Sequence, residues 1–396
     1  MGLYNDILEH LEARGLCFVR KFVPYFLASF GDHIFNIRNN QFNDVNEPLA
    51  IYWENQRIPD MRLFILFIAP PGFSKSTFLQ HLLRDFYGVL ADCGIETYFK
   101  AYMTEAALVG SFGGDEKKAE SLPLKGFLEN HRNCIVGIEE FSSLLAASKQ
   151  EHSKGLDSAL LDWATHGEIT KDLRRGEISF KTNATLWAGT QLGKERIELR
   201  GGMARRFFFI YWIPNELDEK ELVEATISSH RCQRLDTVVL GKLRSRVKNL
   251  YEKLEDLEGV FFTEDLENYF RENLNHNEIP LFRRLAIGYA IMQEDFDKDL
   301  SVGIDDELRR LMDTAVEWRR RIYREINDVT GLGTDIVIQA FGSEKTMLYE
   351  DLAKKLLLYE VSYAETDEYL RKLMEKPARI RMYGNDEKKM VVELIG

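Results

Sequence analysis

The sequence has few cysteines, no long apolar stretch and no export signal. Its 4 cysteines, Cys17, Cys93, Cys134 and Cys232, form no C-x-x-C pair and have no histidine near them in ligand spacing. Neither a disulfide framework nor a zinc site is therefore expected. The most apolar run, 63–68, is far shorter than the ~20 residues of a membrane-spanning helix, and the first residues lack a signal-peptide pattern. We expect a cytoplasmic protein with reduced thiols and no membrane partner.

The charge balance excludes a chain that is coated with basic surface. It has 52 Lys and Arg side chains against 64 Asp and Glu, a net charge of −12. Any contact with nucleic acid must therefore come from local basic elements and not from overall composition. Hydrophobic residues make up 45% of the 396 residues, which is enough for a large buried core. The length predicts two or three structural units.

Hydrophobic spacing divides the chain into five segments. Residues 1–60 are predicted to form a helical lead-in. Residues 61–214 alternate apolar strands with helices, which predicts an α/β core with a parallel sheet and helices on both faces. Residues 215–330 are predicted as a helical lid and 331–344, which contain several glycines, as a linker. Two helices and a β-hairpin are predicted over 345–396, which suggests a small winged-helix-like unit.

A phosphate-binding loop is predicted at residues 69–77, A-P-P-G-F-S-K-S-T, because it follows the apolar strand and opens a helix predicted over 76–90. Backbone N–H groups in the loop and at the helix start can bind phosphate oxygens. Lys75 is expected to reach the β- and γ-phosphates and the Ser76 hydroxyl to ligate Mg²⁺. The alternative is a strand-to-helix turn with a chance lysine. The expected nucleotide-binding residues of this loop are Pro71, Gly72, Phe73, Ser74, Lys75, Ser76 and Thr77.

Two carboxylates follow a second apolar strand at 133–138. Glu139 can hold Mg²⁺ through water, and Glu140 can polarise the attacking water as general base. A strand that leads into a solvated turn is the alternative. The position of this motif after a phosphate loop favours the catalytic interpretation.

Basic residues suggest two further roles. Lys171, Arg174 and Arg175 lie in a predicted hairpin that could contact DNA phosphates, the alternative being a solvated hairpin tip. Arg206 precedes an apolar strand and could act as an arginine finger on a neighbouring subunit's γ-phosphate. A salt bridge at the strand start is its alternative. Arg283 opens a helix and could also face the nucleotide, although the sequence alone favours a position on the helix surface.

Taken in order, these motifs resemble the AAA+ module of the minichromosome maintenance (MCM) replicative helicases over residues 24–293. The family's phosphate loop, G-D-P-G-T-A-K-S, matches at Pro71, Gly72, Lys75 and Ser76. Ala69 departs from it at the first glycine. The family's D-E-F-D-K is similar to E-E-F-S-S at 139–143, with a glutamate first. L-W-A-G-T-Q at 186–191 resembles the sensor strand, with Gln191 in place of asparagine.

The resemblance implies roles for individual residues. It places Ile34 and Phe35 near the adenine base and Lys171 at the DNA-contacting position of a pre-sensor hairpin. It also makes Arg206 the arginine finger and Arg283 the second sensor arginine, both supplied by a neighbouring subunit. Residues 108–124 occupy the place of the family's helix-two insertion, a second DNA-facing element.

The function that the resemblance implies is ATP hydrolysis with Mg²⁺ in a homo-oligomeric ring, such as a hexamer, coupled to translocation on DNA or unwinding in replication. No counterpart of the family's N-terminal oligonucleotide-binding domain is recognised. The substitutions at Ala69, Glu139 and Gln191 leave two alternatives: an ATP-dependent DNA-binding switch or loader that does not unwind, and a catalytically silent scaffold. The C-terminal unit has no excess of positive charge, so a replication-protein partner is as compatible with it as DNA.

Overall fold

The structure, a computed structural model, describes most of the chain. The described residues are 2–39, 51–53, 56–58, 62–73, 75–113, 122–141, 156–173, 176–191, 206–228, 236–327, 333–358, 361, 363–375, 378–385 and 389–395. The chain begins with helices α1 (Leu3–Ala13) and α2 (Val19–Asn39), followed by the antiparallel strands β1 (Ile51–Trp53) and β2 (Gln56–Ile58). The predicted helical lead-in, 1–60, therefore also contains strands.

An α/β core follows, with a central parallel sheet. Its elements are β3 (Phe64–Ala69), α3 (Lys75–Leu83), β4 (Thr97–Lys100), α4 (Glu105–Val109), β5 (Gly110–Gly113), β6 (Leu122–Lys125), α5 (Phe127–Asn130), β7 (Ile135–Ile138), α6 (Leu156–His166), β8 (Glu168–Leu173), β9 (Gly176–Lys181), β10 (Thr185–Gln191) and β11 (Phe207–Tyr211). The sheet has the order β11-β3-β10-β7-β4, and all neighbouring strands are parallel. The predicted parallel sheet is confirmed. All side chains of β3 and β11 are buried, which explains their uninterrupted apolar sequences.

Two details of the core differ from the prediction. The apolar pattern does not predict β4, because only Thr97 of its four residues is buried. The helix predicted over 76–90 ends at Leu83. The chain turns tightly after it, and a Cβ atom on Gly88 would lie 2.6 Å from the backbone nitrogen of Arg84.

Two antiparallel hairpins extend from the core. The strands β5 and β6 pair with each other, as do β8 and β9. The first overlaps the predicted insertion at 108–124, and the second lies in the predicted basic hairpin. The second hairpin leads directly into β10, so its base is attached to the central sheet.

The described residues of the segment predicted as a helical lid form a run of helices. They are α7 (Glu216–Ser228), α8 (Thr237–Lys253), α9 (Glu264–Asn273), α10 (Ile279–Met292) and α11 (Asp306–Asn327). Two short strands that the sequence does not predict, β12 (Gly259–Phe262) and β13 (Asp299–Val302), pair in parallel on either side of α9 and α10 in the chain.

The C-terminal segment corrects the predicted linker at 331–344. That range contains α12 (Gly333–Ala340), which packs against the later helices of the segment. It is followed by β14 (Thr346–Leu348), α13 (Tyr349–Leu358), α14 (Tyr363–Met374), β15 (Ile380–Gly384) and β16 (Met390–Leu394). The predicted hairpin β15–β16 is confirmed, and β14 joins it in an antiparallel sheet of order β14-β16-β15.

Helix α2 lies between the sheet and α10. Its residues from Phe22 to Ile37 are all buried. It crosses α10 at two glycines, where the backbones approach too closely for side chains. A Cβ atom on Gly288 would lie 1.8 Å from the carbonyl oxygen of Ala28, and one on Gly31 would lie 2.2 Å from that of Gly288. The two helices therefore fix the lid against the core at a backbone-to-backbone contact.

Gly288→Ala is expected to lower the free energy of unfolding by about 3 kcal/mol or more, because the helices must separate to admit the methyl group. The measurement is urea unfolding. The control is Gly241→Ala in α8, where a Cβ atom meets nothing within 4 Å. That variant is expected to gain about 0.5–1 kcal/mol, since alanine favours a helix. A Gly288→Ala variant as stable as the wild type would contradict the close backbone contact between α2 and α10.

No helix in the part of the chain that the structure describes is long and apolar enough to cross a membrane.

Candidate nucleotide site

The predicted phosphate loop follows the carboxyl end of β3, and α3 begins at Lys75. Gly72 has a φ of +80°, a conformation that residues with a Cβ rarely adopt. The Lys75 ammonium lies across the beginning of the loop, where Nζ donates to the carbonyl oxygens of Ala69 at 2.7 Å and Pro70 at 2.6 Å. Its charge is thus held at the mouth of the loop, where phosphate oxygens can replace these acceptors.

The other predicted loop residues occupy the same turn. Pro71 and Ser76 are half-buried, and Thr77 is exposed in the first turn of α3. Phe73 is half-buried and directs its ring away from the loop, as described below. Ser74 lies outside the described residues.

The loop lies where the order of the sheet reverses. The chain leaves β3 for β4 at the far edge of the sheet, returns through β7 and β10, and then crosses β3 to reach β11. The two strands that flank β3 in the sheet, β10 and β11, are therefore not the strands that come next to it in the chain. In open α/β sheets, ligands bind in the crevice at the carboxyl ends of strands at such a reversal.

Three predicted catalytic residues meet at this carboxyl edge. Gln191, the last residue of β10, pairs in register with Ala69 at the start of the loop. Its Nε2 donates to Oε2 of Glu140 at 3.4 Å. Glu139 lies against β10, where a Cβ atom on Gly189 would come within 2.8 Å of the Glu139 carbonyl oxygen. The glycine thus permits the close approach that brings the carboxylates and the amide together.

Backbone hydrogen bonds hold both carboxylates at this edge. The Glu139 N–H donates to the carbonyl of Lys100 and the Glu140 N–H to that of Ala101, both at 3.0 Å. Both glutamates are half-buried, which leaves their side chains accessible from the crevice.

The residues near the loop are compatible with Mg²⁺ bound together with ATP. Ser76 supplies a hydroxyl and Glu139 a carboxylate, and both are oxygen ligands that this hard cation prefers. Mg²⁺ at such sites keeps several waters and takes phosphate oxygens, so one or two protein ligands suffice. Among the described residues, no group of three or more His, Cys, Asp or Glu side chains could hold a metal alone.

An aromatic cluster beside the loop was not predicted. Phe73 packs its ring on that of Trp212, with centroids 5.5 Å apart, and Phe18 packs on the same ring at 4.8 Å. Lys21 Nζ lies 4.9 Å from the Trp212 ring and 3.3 Å from the Asp218 carboxylate. Phe18 has a φ of +56°, which is uncommon for a bulky residue. The sequence gives no indication of this strained backbone beside the loop.

The structure places Ile34 and Phe35, the predicted adenine contacts, away from the loop. They follow His33, whose ring lies 2.8 Å from Thr185 Oγ1 and 3.3 Å from the Asn133 carbonyl oxygen, at the amino ends of β10 and β7. This is the opposite edge of the sheet from the loop, and a strand of this length spans ~20 Å. Both residues are fully buried. Burial also lowers the pKa of His33 to about 3, so its ring is neutral at physiological pH.

Arg206 and Arg283 also lie at the amino edge. Arg206 precedes Phe207, which pairs in register with Phe64 at the start of β3, and its Nε donates to Thr165 Oγ1. The neighbour of Arg283 in α10, Arg284, donates to the carbonyl of Arg62 just before β3. The structure therefore separates both arginines from the loop of their own chain by the length of the sheet.

The Arg283 guanidinium packs inside the lid. It lies 5.2 Å from the centre of the Phe262 ring at the end of β12. Burial lowers its pKa below the usual arginine value. The side chain is half-buried, so part of it still reaches the surface.

A buried ion pair joins the surroundings of the two arginines. Arg319 of α11 is 3% exposed, and its Nη1 donates to the carbonyl of Phe207 at 3.1 Å. Its Nε lies 3.2 Å from Oε1 of Glu278, which immediately precedes α10. Arg319 thus contacts Phe207, the residue after Arg206, and Glu278 at the start of the helix that carries Arg283. Arg319 is one of three consecutive arginines in the sequence W-R-R-R, so it does not stand out as a buried residue. Its helical spacing does indicate burial, because Arg319 is on the same face of α11 as the buried Ala315 and Ile322.

The basic hairpin is held by a carboxylate. Lys171 Nζ lies 2.6 Å from Oε1 of Glu105, the first residue of α4. Arg174 and Arg175 lie outside the described residues.

No protein-family model matches the chain, and neither does any curated protein compared with it. The function is therefore inferred from the chemistry of the two edges and the hairpins.

Proposed function

We propose that the protein is an MCM-like AAA+ ATPase that hydrolyses ATP in a homo-oligomeric ring and uses the energy to translocate on DNA or unwind it. One observation supports the proposal above all: the predicted loop, both carboxylates and the amide of Gln191 converge at the carboxyl edge. The candidate finger arginines lie at the opposite edge. That division is suited to a site completed by two subunits.

Each residue has a role in hydrolysis under this proposal. Lys75 and the loop N–H groups bind the β- and γ-phosphates. Glu140 accepts a proton from the attacking water, and Gln191 orients that water through its amide. The water oxygen bonds to the γ-phosphorus while the bond to the bridging oxygen breaks, so that ADP and phosphate leave. Mg²⁺ held by Ser76 and Glu139 would neutralise charge on the phosphate oxygens.

The second half of the site comes from the next subunit. Arg206 cannot reach the nucleotide of its own chain across a sheet ~20 Å deep. At a subunit interface its fixed charge and planar fork can stabilise the transferred phosphoryl group. Arg283, on the same edge, would add a second positive charge. The ion pair of Arg319 with Glu278 stabilises the chain next to Arg206 and the start of the helix that carries Arg283.

DNA is proposed to contact the two hairpins. Lys171 lies in β8, and Arg174 and Arg175 follow it in the sequence. Phosphate contacts from such residues fix position without reading sequence. The C-terminal helices and antiparallel sheet suit a winged-helix-like unit. Since its charge is balanced, we propose that this unit docks a replication-protein partner.

A switch or loader that binds DNA in an ATP-dependent manner without unwinding is the second candidate. The hydrogen bond from Gln191 to Glu140 favours it. An amide that engages the general base competes with the attacking water for the carboxylate, which slows hydrolysis. Slow turnover would keep the ATP-bound state for longer than a processive motor needs.

Steady-state ATP hydrolysis with Mg²⁺, with and without single-stranded and forked DNA, tests the proposal. Wild-type turnover is expected to rise with DNA, and Lys75→Ala to lower turnover at least about 100-fold by removing a charged donor from the phosphates. The control is Lys248→Ala, since that lysine is 60% exposed on α8. Folded protein that binds ATP but turns over slowly, without strand separation, would favour the switch. A failure to bind ATP would leave the silent scaffold.

A further inference from the structure

Glu105 contacts the hairpin residue that is proposed to bind DNA. It is the first residue of α4, whose start is fixed by Thr104, which accepts a hydrogen bond from the Ala107 N–H at 3.2 Å. Its carboxylate lies 2.6 Å from Lys171 Nζ, and the two side chains are only 8% and 12% exposed. The pair is therefore shielded from water, unlike an ordinary surface salt bridge.

A second contact holds the hairpin in the same position. Ile178 pairs with Lys171 across β8 and β9, and it is buried. It packs at the other end of α4, where a Cβ atom on Gly110 would lie 3.6 Å from Ile178 Cδ1. Gly110 begins β5, so the same helix also leads into the other hairpin. Two contacts, one ionic and one apolar, thus fix the β8–β9 hairpin to α4.

This geometry affects the availability of the lysine. An ammonium ion that is almost fully covered and paired to a carboxylate has little surface left for another anion. A DNA phosphate can take Lys171 only by displacing Glu105, and the carboxylate then loses its partner in a poorly solvated position, which is costly. The carboxylate thus occupies the place of a phosphate on the lysine.

We propose that Glu105 competes with DNA phosphate for Lys171, so that this internal ion pair sets the DNA affinity of the hairpin. The inference rests on the proposed DNA binding. It assigns a role to a residue outside the nucleotide site, and it makes Lys171 a conditional contact that is available once Glu105 releases it.

The test is the salt dependence of DNA binding by the full chain, measured by fluorescence anisotropy with a labelled single strand. Glu105→Gln is expected to bind about three- to tenfold more tightly at low salt, because one more lysine is free to displace counterions. The slope of log K against log salt should steepen by about 0.7, the value for one phosphate contact on a single strand.

Glu168→Gln is the matched control. Glu168 is the exposed first residue of β8, so its substitution makes the same charge change as Glu105→Gln but on the hairpin itself and away from the Lys171 ion pair. It is expected to leave the slope unchanged. Lys171→Ala should weaken binding little in the wild type but should abolish the gain in the Glu105→Gln background, where both charges of the pair are removed.

The outcomes separate the inference from the proposed function. If wild type binds DNA and Glu105→Gln has the affinity and slope of Glu168→Gln, the competition is disproved while DNA binding stands. If none of the variants binds DNA although ATP is hydrolysed, the DNA part of the proposed function fails together with the inference. Circular dichroism and urea unfolding of the double variant verify that the fold is kept.

Discussion

Arg206→Ala is expected to lower ATP turnover by about 10³- to 10⁵-fold, the effect of removing an arginine finger, while ATP binding is retained. The reason is the position of Arg206 at the amino edge of the sheet, away from the proposed phosphate loop of the same chain. Its loss removes transition-state charge stabilisation from the next subunit and leaves the phosphate loop intact. Steady-state hydrolysis and equilibrium binding of a fluorescent ATP analogue measure the two effects separately.

Mixing two inactive variants sharpens this prediction. A subunit with Arg206→Ala retains its loop, and a subunit with Lys75→Ala retains its finger. Mixed rings therefore contain intact sites at about a quarter of their interfaces if subunits assort at random and contact head to tail, and turnover should recover to a similar fraction. The control is Arg20→Ala, since Arg20 is an exposed residue of α2. Full activity of Arg206→Ala alone, or no recovery in co-assembled mixtures, would reject the shared site.

Glu140→Gln is expected to lower turnover by about 10²- to 10⁴-fold, the usual contribution of a general base, with ATP binding unchanged. The amide has nearly the same shape as the carboxylate but cannot take the proton of the attacking water. Glu140 is held at the carboxyl edge by its backbone and contacts Gln191, so little rearrangement is expected.

The matched control for this variant is Glu96→Gln. Glu96 immediately precedes β4, its side chain is 55% exposed, and it pairs with His131. It carries the same charge at the other end of the sheet. Rapid-quench hydrolysis in a single turnover measures the chemical step directly. Equal rates for wild type and Glu140→Gln would assign the base to another residue.

The sequence predicts the carboxyl edge well for a physical reason. Parallel strands place all their carboxyl ends at one edge, so polar residues after apolar runs must converge there. Glu139, Glu140 and Gln191 each follow or end such a run, and the structure brings them together. The same reasoning places Arg206, which precedes a strand, at the other edge.

The sequence does not show where Ile34 and Phe35 lie relative to the loop, because α2 is buried along most of its length. A helix that is surrounded by protein has no solvent-facing side from which its orientation could be inferred. Nothing in the sequence tells which end of it lies beside the loop. The contacts of Phe18 and Lys21 with Trp212 show that it is the beginning of the helix and the turn before it.

Two other differences have separate causes. The glycines in 331–344 suggested a linker, but the apolar sequence Ile336-Val337-Ile338 gives α12 a face that packs on its neighbours, and this outweighs the composition. The ion pairs of Arg319 with Glu278 and of Lys171 with Glu105 join residues far apart in the chain. Charge patterns along one chain predict neighbours on a helix and not such partners.

The division of the candidate site between opposite edges of the sheet restricts the symmetry of any assembly that uses it. A two-fold dimer completes both sites only if the two copies lie antiparallel, so that each amino edge meets the partner's carboxyl edge. In any other arrangement the contact between the amino edge of one copy and the carboxyl edge of the next is heterologous. Repeated, it gives a closed ring when the rotation per subunit divides a full turn and a helical filament when it does not. The angle between neighbouring copies, and not the chemistry of hydrolysis, would then determine how many subunits work together.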